Sequence, residues 1–345
     1  MQNRNILIST GKTGGHIIPA LSVGRRYIEE FSKAKVIYAS LEGSSIFMDF
    51  LNKDENLKFV FLKDWQGFDI KILFENVLEI FKILKKENIK KVLIFGSYIS
   101  FPVIIASLLN GSRIYLHEQN VLPGRANKFA SLFSKKIFIS YSNTVKCFPS
   151  FIRRKIVLTG NPVRNYDFKD LKEKNQILFL GGSQGAMTIN NFIIDNIEKI
   201  RMYSSINFIV ITGKKNYKDV LAKLRNDIPK NLKLLSFENK VFDLMLESKL
   251  IVSRAGAITL TEIAYLKRPS VLVPFPFARD NHQYINAKYF KEKGAAILID
   301  NDELKDSFDL IINLFDSNRK LKEMKEALNN LFISEAESRI VKNLC

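Results

Sequence analysis

The chain has 345 residues, 46% of them apolar, enough for two ordinary domains that each bury a core. Its 53 basic against 35 acidic residues give a formal charge of +18, yet no nucleic-acid-reading motif accompanies that excess. An anionic substrate or an anionic membrane surface is therefore the expected partner, and nucleic acid is not. The two cysteines, Cys147 and Cys345, exclude a disulfide framework and a cysteine zinc site, and they suit a reducing cytosol. No apolar run approaches the ~20 residues of a membrane span, and no signal-peptide hydrophobic region precedes the first strand.

In chain order, short apolar runs predict strands at residues 5–9, 35–40, 57–62, 92–95, 113–117, 136–140 and 156–158. Helical periodicity fills most gaps, at 19–31, 70–87, 101–109 and 125–133, with Pro19 expected in a first helical turn. Thr159-Gly160-Asn161-Pro162-Val163-Arg164 and the polar stretch 165–175 then break the pattern. Strands are expected again at 176–180, 207–212, 233–236, 250–253, 271–273 and 296–299. Helices are expected at 187–200, 217–224, 242–247, 259–266 and 283–293, and from 303 onward. The alternation predicts parallel sheets covered by helices, in an N-terminal domain 1–163 and a C-terminal domain 164–331. The terminal helix, about 332–345, is expected to pack back on the first domain.

Two glycine loops stand out, each following an apolar run and preceding an amphipathic stretch. They are Gly11-Lys12-Thr13-Gly14-Gly15-His16 and Gly181-Gly182-Ser183-Gln184-Gly185-Ala186. A strand, a glycine turn and a helix N-terminus together direct free N–H groups and the helix dipole at one anion. Two such loops, opening the two halves of one chain, predict twin nucleotide-type domains facing a cleft. The spacing of a Walker A loop is not met by Gly11-Lys12-Thr13, and neither loop carries the dinucleotide fingerprint of a dehydrogenase.

All three histidines fall in glycine-rich or Asn/Gln-rich segments: His16, His117 in His117-Glu118-Gln119-Asn120, and His282 in Asp280-Asn281-His282-Gln283. His117 ends a strand, so His117 and Glu118 are placed at the edge where ligands bind an open α/β sheet. A third loop, Ser253-Arg254-Ala255-Gly256, leads into Ala257-Ile258-Thr259-Leu260-Thr261-Glu262. Thr259 and Thr261 suit capping of the first-turn N–H groups, and Glu262 suits either a capping role or the two hydroxyls of a ribose. Asp300-Asn301-Asp302 is the one Asp-x-Asp triplet, and it reads as a helix N-cap rather than a metal site.

These segments, in this order, resemble the bacterial undecaprenyldiphospho-muramoylpentapeptide β-N-acetylglucosaminyltransferases, peripheral membrane enzymes that convert lipid I to lipid II in peptidoglycan synthesis. The resemblance runs from residue 6 to about residue 299. It implies a GT-B fold, α/β throughout, with two Rossmann-like domains, and an inverting transfer from UDP-N-acetylglucosamine without a cofactor. Carried over, the donor contacts are Thr13, Gly14, Gly15, Asn120, Arg164, Ser183, Ala257, Ile258, Thr259, Leu260, Thr261, Glu262 and Gln283. Glu262 would hold the ribose and Gln283 the sugar hydroxyls, while main chain near Phe237-Glu238 lines the uracil. Gly11, Lys12, Gly96, Ser97 and Tyr98 would face the acceptor diphosphate. Lys12 and Ser97 depart from the family's glycines, Ser97 more mildly, and Lys12 is tolerable only without a positive φ.

The reaction needs a base for the acceptor hydroxyl and stabilisation of the departing diphosphate. His16 is the first choice for the base and Glu118 the rival. Lipid I, an anionic membrane surface and other cell-wall synthesis enzymes are the implied partners, at the cytoplasmic face of the inner membrane. The stripe Leu73, Phe74, Val77, Leu78, Phe81 and Leu84, flanked by lysines and preceded by Trp65 and Phe68, suits an interfacial helix, with Phe74 and Phe81 expected to stay exposed. The same stripe also suits an ordinary sheet-covering helix. A UDP-N-acetylglucosamine 2-epimerase and a non-catalytic sugar-nucleotide-binding protein are the alternative readings.

Overall fold

The computed structural model describes residues 4–41, 55–65, 69–163, 166, 170–182, 185–225 and 227–345. The chain divides into two compact units, residues 1–165 with 333–345, and residues 166–332.

Unit 1 runs β1 (Ile6–Ser9), α1 (Gly14–Glu30), β2 (Val36–Leu41), β3 (Leu57–Leu62), α2 (Ile70–Lys86), β4 (Lys91–Ile94), α3 (Ser100–Leu109) and β5 (Arg113–Glu118). It continues through α4 (Arg125–Phe133), β6 (Ser134–Ile139), α5 (Ser150–Arg153) and β7 (Ile156–Leu158). The seven strands pair in parallel in the order β3-β2-β1-β4-β5-β6-β7. Strands buried on both faces need apolar residues at every position, which is why Ile6-Leu7-Ile8 and Val92-Leu93-Ile94 read as unbroken runs. Their side chains alternate between two cores. Leu7, Val92 and Ile94 pack with Val77, Ile80, Leu84 and Val103 from α2 and α3. Ile6, Ile8 and Leu93 pack with Ile17, Val23 and Tyr27 of α1, and with Ile340, Val341 and Leu344.

Unit 2 runs β8 (Lys174–Leu180), α6 (Met187–Asp195), α7 (Ile197–Met202), β9 (Asn207–Ile211), α8 (Tyr217–Lys223), β10 (Leu232–Leu235), α9 (Val241–Glu247) and β11 (Ser248–Ser253). It ends with α10 (Ala257–Tyr265), β12 (Ser270–Leu272), α11 (His282–Glu292), β13 (Ala296–Leu298), α12 (Phe308–Asp316) and α13 (Asn318–Asn329). A final helix, α14 (Ala336–Leu344), lies in unit 1 against α1. The six strands of unit 2 are parallel, in the order β10-β9-β8-β11-β12-β13.

Three local expectations are corrected. Helix α1 starts at Gly14, so Pro19 lies inside it rather than in its first turn. The donor that Pro19 lacks would have served Gly15, whose exposed position lets solvent satisfy that carbonyl. The expected helix 187–200 is two helices, because Asn196 turns its Nδ2 back onto the Phe192 carbonyl at 2.9 Å and leaves helical geometry. In α2, capped by Asp69 through Lys71 and Ile72 N–H, Phe74 is 61% exposed but Phe81 is half-buried against the core, under Lys85. Phe68, part of the same expectation, lies outside the described residues.

The strand orders place the glycine loops. In unit 1 the direction of winding reverses between β1 and β4, and in unit 2 between β8 and β11. At such a switch point adjacent loops diverge and open a crevice beyond the strand ends. The loop after β1 is Gly11–His16, and the loop after β8 is Gly181–Ala186.

Candidate active site

In unit 1, Thr13 is extended (φ −105°, ψ 156°) and begins α1 without side-chain capping. The first-turn N–H groups of Gly14 and Gly15 have no intrahelical acceptor, the arrangement that suits an anion. Lys12 does not take a positive φ, so its side chain costs no backbone strain there. His16 sits in the first turn with Nδ1 2.7 Å from the Phe95 carbonyl, just beyond β4. Gly11 is required by close approach: a Cβ there would come within 2.8 Å of the His16 ring and 3.0 Å of the Ser97 Cβ. The loops after β1 and β4 thus touch across the switch point.

After β4 the chain turns through two consecutive left-handed residues, Gly96 (φ 95°) and Ser97 (φ 76°). Serine here is a greater departure than expected, since a residue with a Cβ is strained in that region by roughly 1–2 kcal/mol. Tyr98 is held to one side, its hydroxyl donating to Asp64 Oδ1 at 2.7 Å and its ring edge-on to Trp65.

The end of β5 supplies the most heavily bonded group of the unit. Glu118 is 1% exposed, and its carboxylate accepts from Asn120 N (2.8 Å), Asn120 Nδ2 (3.2 Å), Gly124 N (3.3 Å) and Asn127 Nδ2 (2.6 Å). Burial pushes its carboxyl up, partly offset by those donors. A carboxylate so enclosed holds the loop that follows β5, and this geometry disfavours it as the rival base. His117 is fully buried, its Nε2 3.0 Å from the Gly160 carbonyl, and burial holds it down at about 4. Gln119 and Asn127, to which the sequence pattern assigns no role of their own, join this network.

In unit 2 the loop after β8 is closed by Gly185 N–H donating to the Gly182 carbonyl at 3.0 Å. Gly185 takes φ 77°, and a Cβ there would strike the Thr212 carbonyl. Ser183 and Arg164, both expected at the donor, lie outside the described residues. Across the switch point, β11 leads to Gly256, the N-cap of α10, which has no side chain of its own to cap the helix. The capping expectation fails for Thr261, whose Oγ1 donates back to the Ala257 carbonyl at 2.8 Å inside the helix. Ala257, Ile258, Leu260, Thr261 and Glu262 are buried and Thr259 is half-buried.

Arg254 anchors that loop. Its Nη1 donates to the Val273 and Pro274 carbonyls and to Asn301 Oδ1, at 3.0, 3.0 and 2.9 Å. Burial draws its guanidinium down to about 10. Asn301 is therefore committed to Arg254, and the Asp300–Asp302 triplet is not the expected N-cap; Glu303 precedes the short turn Leu304–Asp306. No group of three or more His, Cys, Asp or Glu side chains is arranged to hold a metal ion among the described residues.

Gln283, in the first turn of α11, accepts the Phe275 N–H on Oε1 at 3.0 Å, which orients its NH2 for another acceptor. Just before it, Asp280 and Asn281 are both left-handed (φ 51° and 54°), and His282 Nδ1 lies 2.6 Å from the Arg279 carbonyl. Beyond β10, Phe237 is half exposed under Lys214 Nζ, and Glu238 accepts the Lys240 N–H at 2.7 Å.

Residues 6–139 match the model of the glycosyltransferase family 28 N-terminal domain, and residues 176–342 that of the family's C-terminal domain. A UDP-N-acetylglucosamine--N-acetylmuramyl-(pentapeptide) pyrophosphoryl-undecaprenol N-acetylglucosamine transferase of Finegoldia magna is 32% identical, covering 99% of this chain and 97% of its own length. Among solved structures, MurG of Acinetobacter baumannii superposes with a TM-score of 0.78 at 24% identity, covering 99% of each chain. UDP-GlcNAc 2-epimerase from Neisseria meningitidis, bound to UDP-GlcNAc, shares the fold at a TM-score of 0.71 and 16% identity, again over 99% of each chain. The fold is GT-B, and the chain belongs to the UDP-N-acetylglucosamine--N-acetylmuramyl-(pentapeptide) pyrophosphoryl-undecaprenol N-acetylglucosamine transferases, within glycosyltransferase family 28.

Proposed function

We infer that this chain performs the reaction for which its family is named, moving N-acetylglucosamine from UDP-N-acetylglucosamine to the muramyl 4-hydroxyl of lipid I and forming lipid II with inversion. The observation that carries the reading is the pair of glycine loops at the two switch points, one of them presenting His16. A carbonyl only accepts, so the Phe95 oxygen requires a proton on His16 Nδ1 and leaves the lone pair on Nε2. In the proposed mechanism Nε2 removes the acceptor proton as the hydroxyl attacks the anomeric carbon and UDP leaves from the opposite face. The N-terminal turn of α10, with Ser183 and Arg164, receives the charge on the departing diphosphate. Glu262 takes the ribose hydroxyls, Gln283 the sugar hydroxyls through its NH2, and main chain near Phe237 the uracil. The Lys12 ammonium and the first turn of α1 face the acceptor diphosphate, beside Gly96, Ser97 and Tyr98.

The epimerase alternative shares the fold, but the 32% identity over nearly the whole chain lies with the transferases and not with the epimerase. Radiolabelled UDP-N-acetylglucosamine incubated with lipid I, with and without EDTA, tests the reaction. Label must appear in a lipid product; its recovery only as an epimerised sugar nucleotide would reject the transferase reading. His16→Ala must lower kcat by about a hundredfold or more while UDP binds within about threefold of wild type.

A peripheral membrane position completes the proposal. No described helix is long and apolar enough to cross a membrane. Ile70, Phe74 and Leu78 are exposed on α2, with Lys71, Lys82, Lys85 and Lys86 on the same helix. Exposed apolar residues beside lysines suit an anionic lipid interface. Replacing Ile70 and Phe74 together by Ser must cut sedimentation with phosphatidylglycerol vesicles about tenfold, and unchanged binding would remove α2 from the interface.

A further inference from the structure

The Phe95 carbonyl serves two donors. His16 Nδ1 lies 2.7 Å from it and Gln119 Nε2 3.0 Å. The same Gln119 Nε2 lies 3.2 Å from His117 Nδ1 and 3.3 Å from the His117 carbonyl. All three neighbours of that nitrogen are acceptors, provided His117 carries its proton on Nε2. The Gly160 carbonyl, 3.0 Å from Nε2, requires that tautomer. Complete burial of His117, which keeps the ring neutral, agrees with it. The orientation of the Gln119 amide is therefore determined: NH2 faces the cluster and Oε1 faces away. Among the described residues that Oε1 is buried without a hydrogen-bond partner. A buried orphan acceptor costs stability, so the retained orientation points to a task for the NH2 end.

We propose that Gln119 is a positioning residue for His16, pinning the Phe95 carbonyl so that the His16 ring keeps its proton on Nδ1 and its lone pair on Nε2. The chain of contacts is Gly160 carbonyl, His117, Gln119, Phe95 carbonyl, His16. One hydrogen of the Gln119 NH2 goes to Phe95, and the other is shared between the His117 ring and its own carbonyl. Without that second donor, the strained turn at Gly96-Ser97 is free to swing the carbonyl, and His16 loses the contact that selects its tautomer. Gln119 touches no substrate in this scheme; it acts through Phe95. The proposal rests on the reading of His16 as the base.

The chain has three histidines, so the full-length protein labelled with 15N-histidine gives three imidazole patterns, assignable with His16→Ala and His282→Ala. In wild type, His16 must show the Nδ1–H tautomer and His117 the Nε2–H tautomer. This measurement needs no Gln119 variant, and the opposite tautomer at either ring overturns the proposal. Gln119→Met keeps the length of the side chain and removes its donors. It must bring mixed tautomers at His16 and about a tenfold lower kcat, with KM for UDP-N-acetylglucosamine within about twofold. An unchanged His16 pattern, or an unchanged kcat, overturns the proposal. The His16→Ala rate separates the two layers: if that variant keeps wild-type kcat, the base assignment has failed, whatever the tautomers show.

Discussion

Replacing His117 by Gln removes a buried ring whose titration makes the native fold acid-sensitive. His117 is fully buried, and burial lowers its pKa from 6.5 to about 4, against a smaller opposing effect of the Gly160 carbonyl. Because the folded value lies below the unfolded one, acid protonates the unfolded chain first. The stability linked to His117 is thus present above about 6.5 and is lost as pH falls toward about 4, where the loss reaches roughly 3 kcal/mol. Between about pH 7 and about pH 5 the loss is about 2 kcal/mol. The Gln variant cannot titrate at this position, so whatever it loses at neutral pH, its deficit relative to wild type must shrink by that amount. Urea unfolding followed by the fluorescence of Trp65, the one tryptophan of the chain and a residue of unit 1, reports the relevant transition. Groups remote from His117 are common to both proteins and cancel in the comparison. Parallel stability curves for the two proteins across this range would refute the argument that His117 is held neutral by burial.

Two further outcomes test unit 2. Glu262→Gln keeps the shape of a group proposed to accept both ribose hydroxyls but removes its charge, and calorimetric UDP affinity must fall about tenfold; wild-type affinity would take the ribose away from Glu262. Gly185→Ala places a Cβ against the Thr212 carbonyl at φ 77°, so thermal unfolding must show a destabilisation of at least about 2 kcal/mol, and an unchanged melting curve would contradict the loop geometry.

Much of the fold is legible in the residues because its signals are local. An unbroken run such as Ile6-Leu7-Ile8 belongs in a parallel strand covered on both faces, and glycine directly after such a run marks where backbone must bend at a strand end. The same local chemistry marks Gly11–His16 and Gly181–Ala186 as loops suited to an anion. It misplaces the start of α1, since Pro19 marks a helix but not its first turn, and it joins α6 to α7 because Asn196 interrupts the ladder only through its own side chain. It grades Ser97 as a mild change, although the φ there is set by the turn and not by the residue.

Pairwise meetings between distant segments are decided by tertiary structure alone. Glu118 reads as a reactive carboxylate, and only the folded loop surrounds it with donors from Asn120, Gly124 and Asn127. Asn301 reads as a cap until Arg254, 47 residues away, claims its oxygen. His16 and Gln119 converge on one carbonyl because β1 and β5 both flank β4, a consequence of sheet order that no stretch of sequence contains. Pattern determines what each segment is, whereas long-range hydrogen bonding, which depends on atomic distances across the sheet, determines what each polar side chain does.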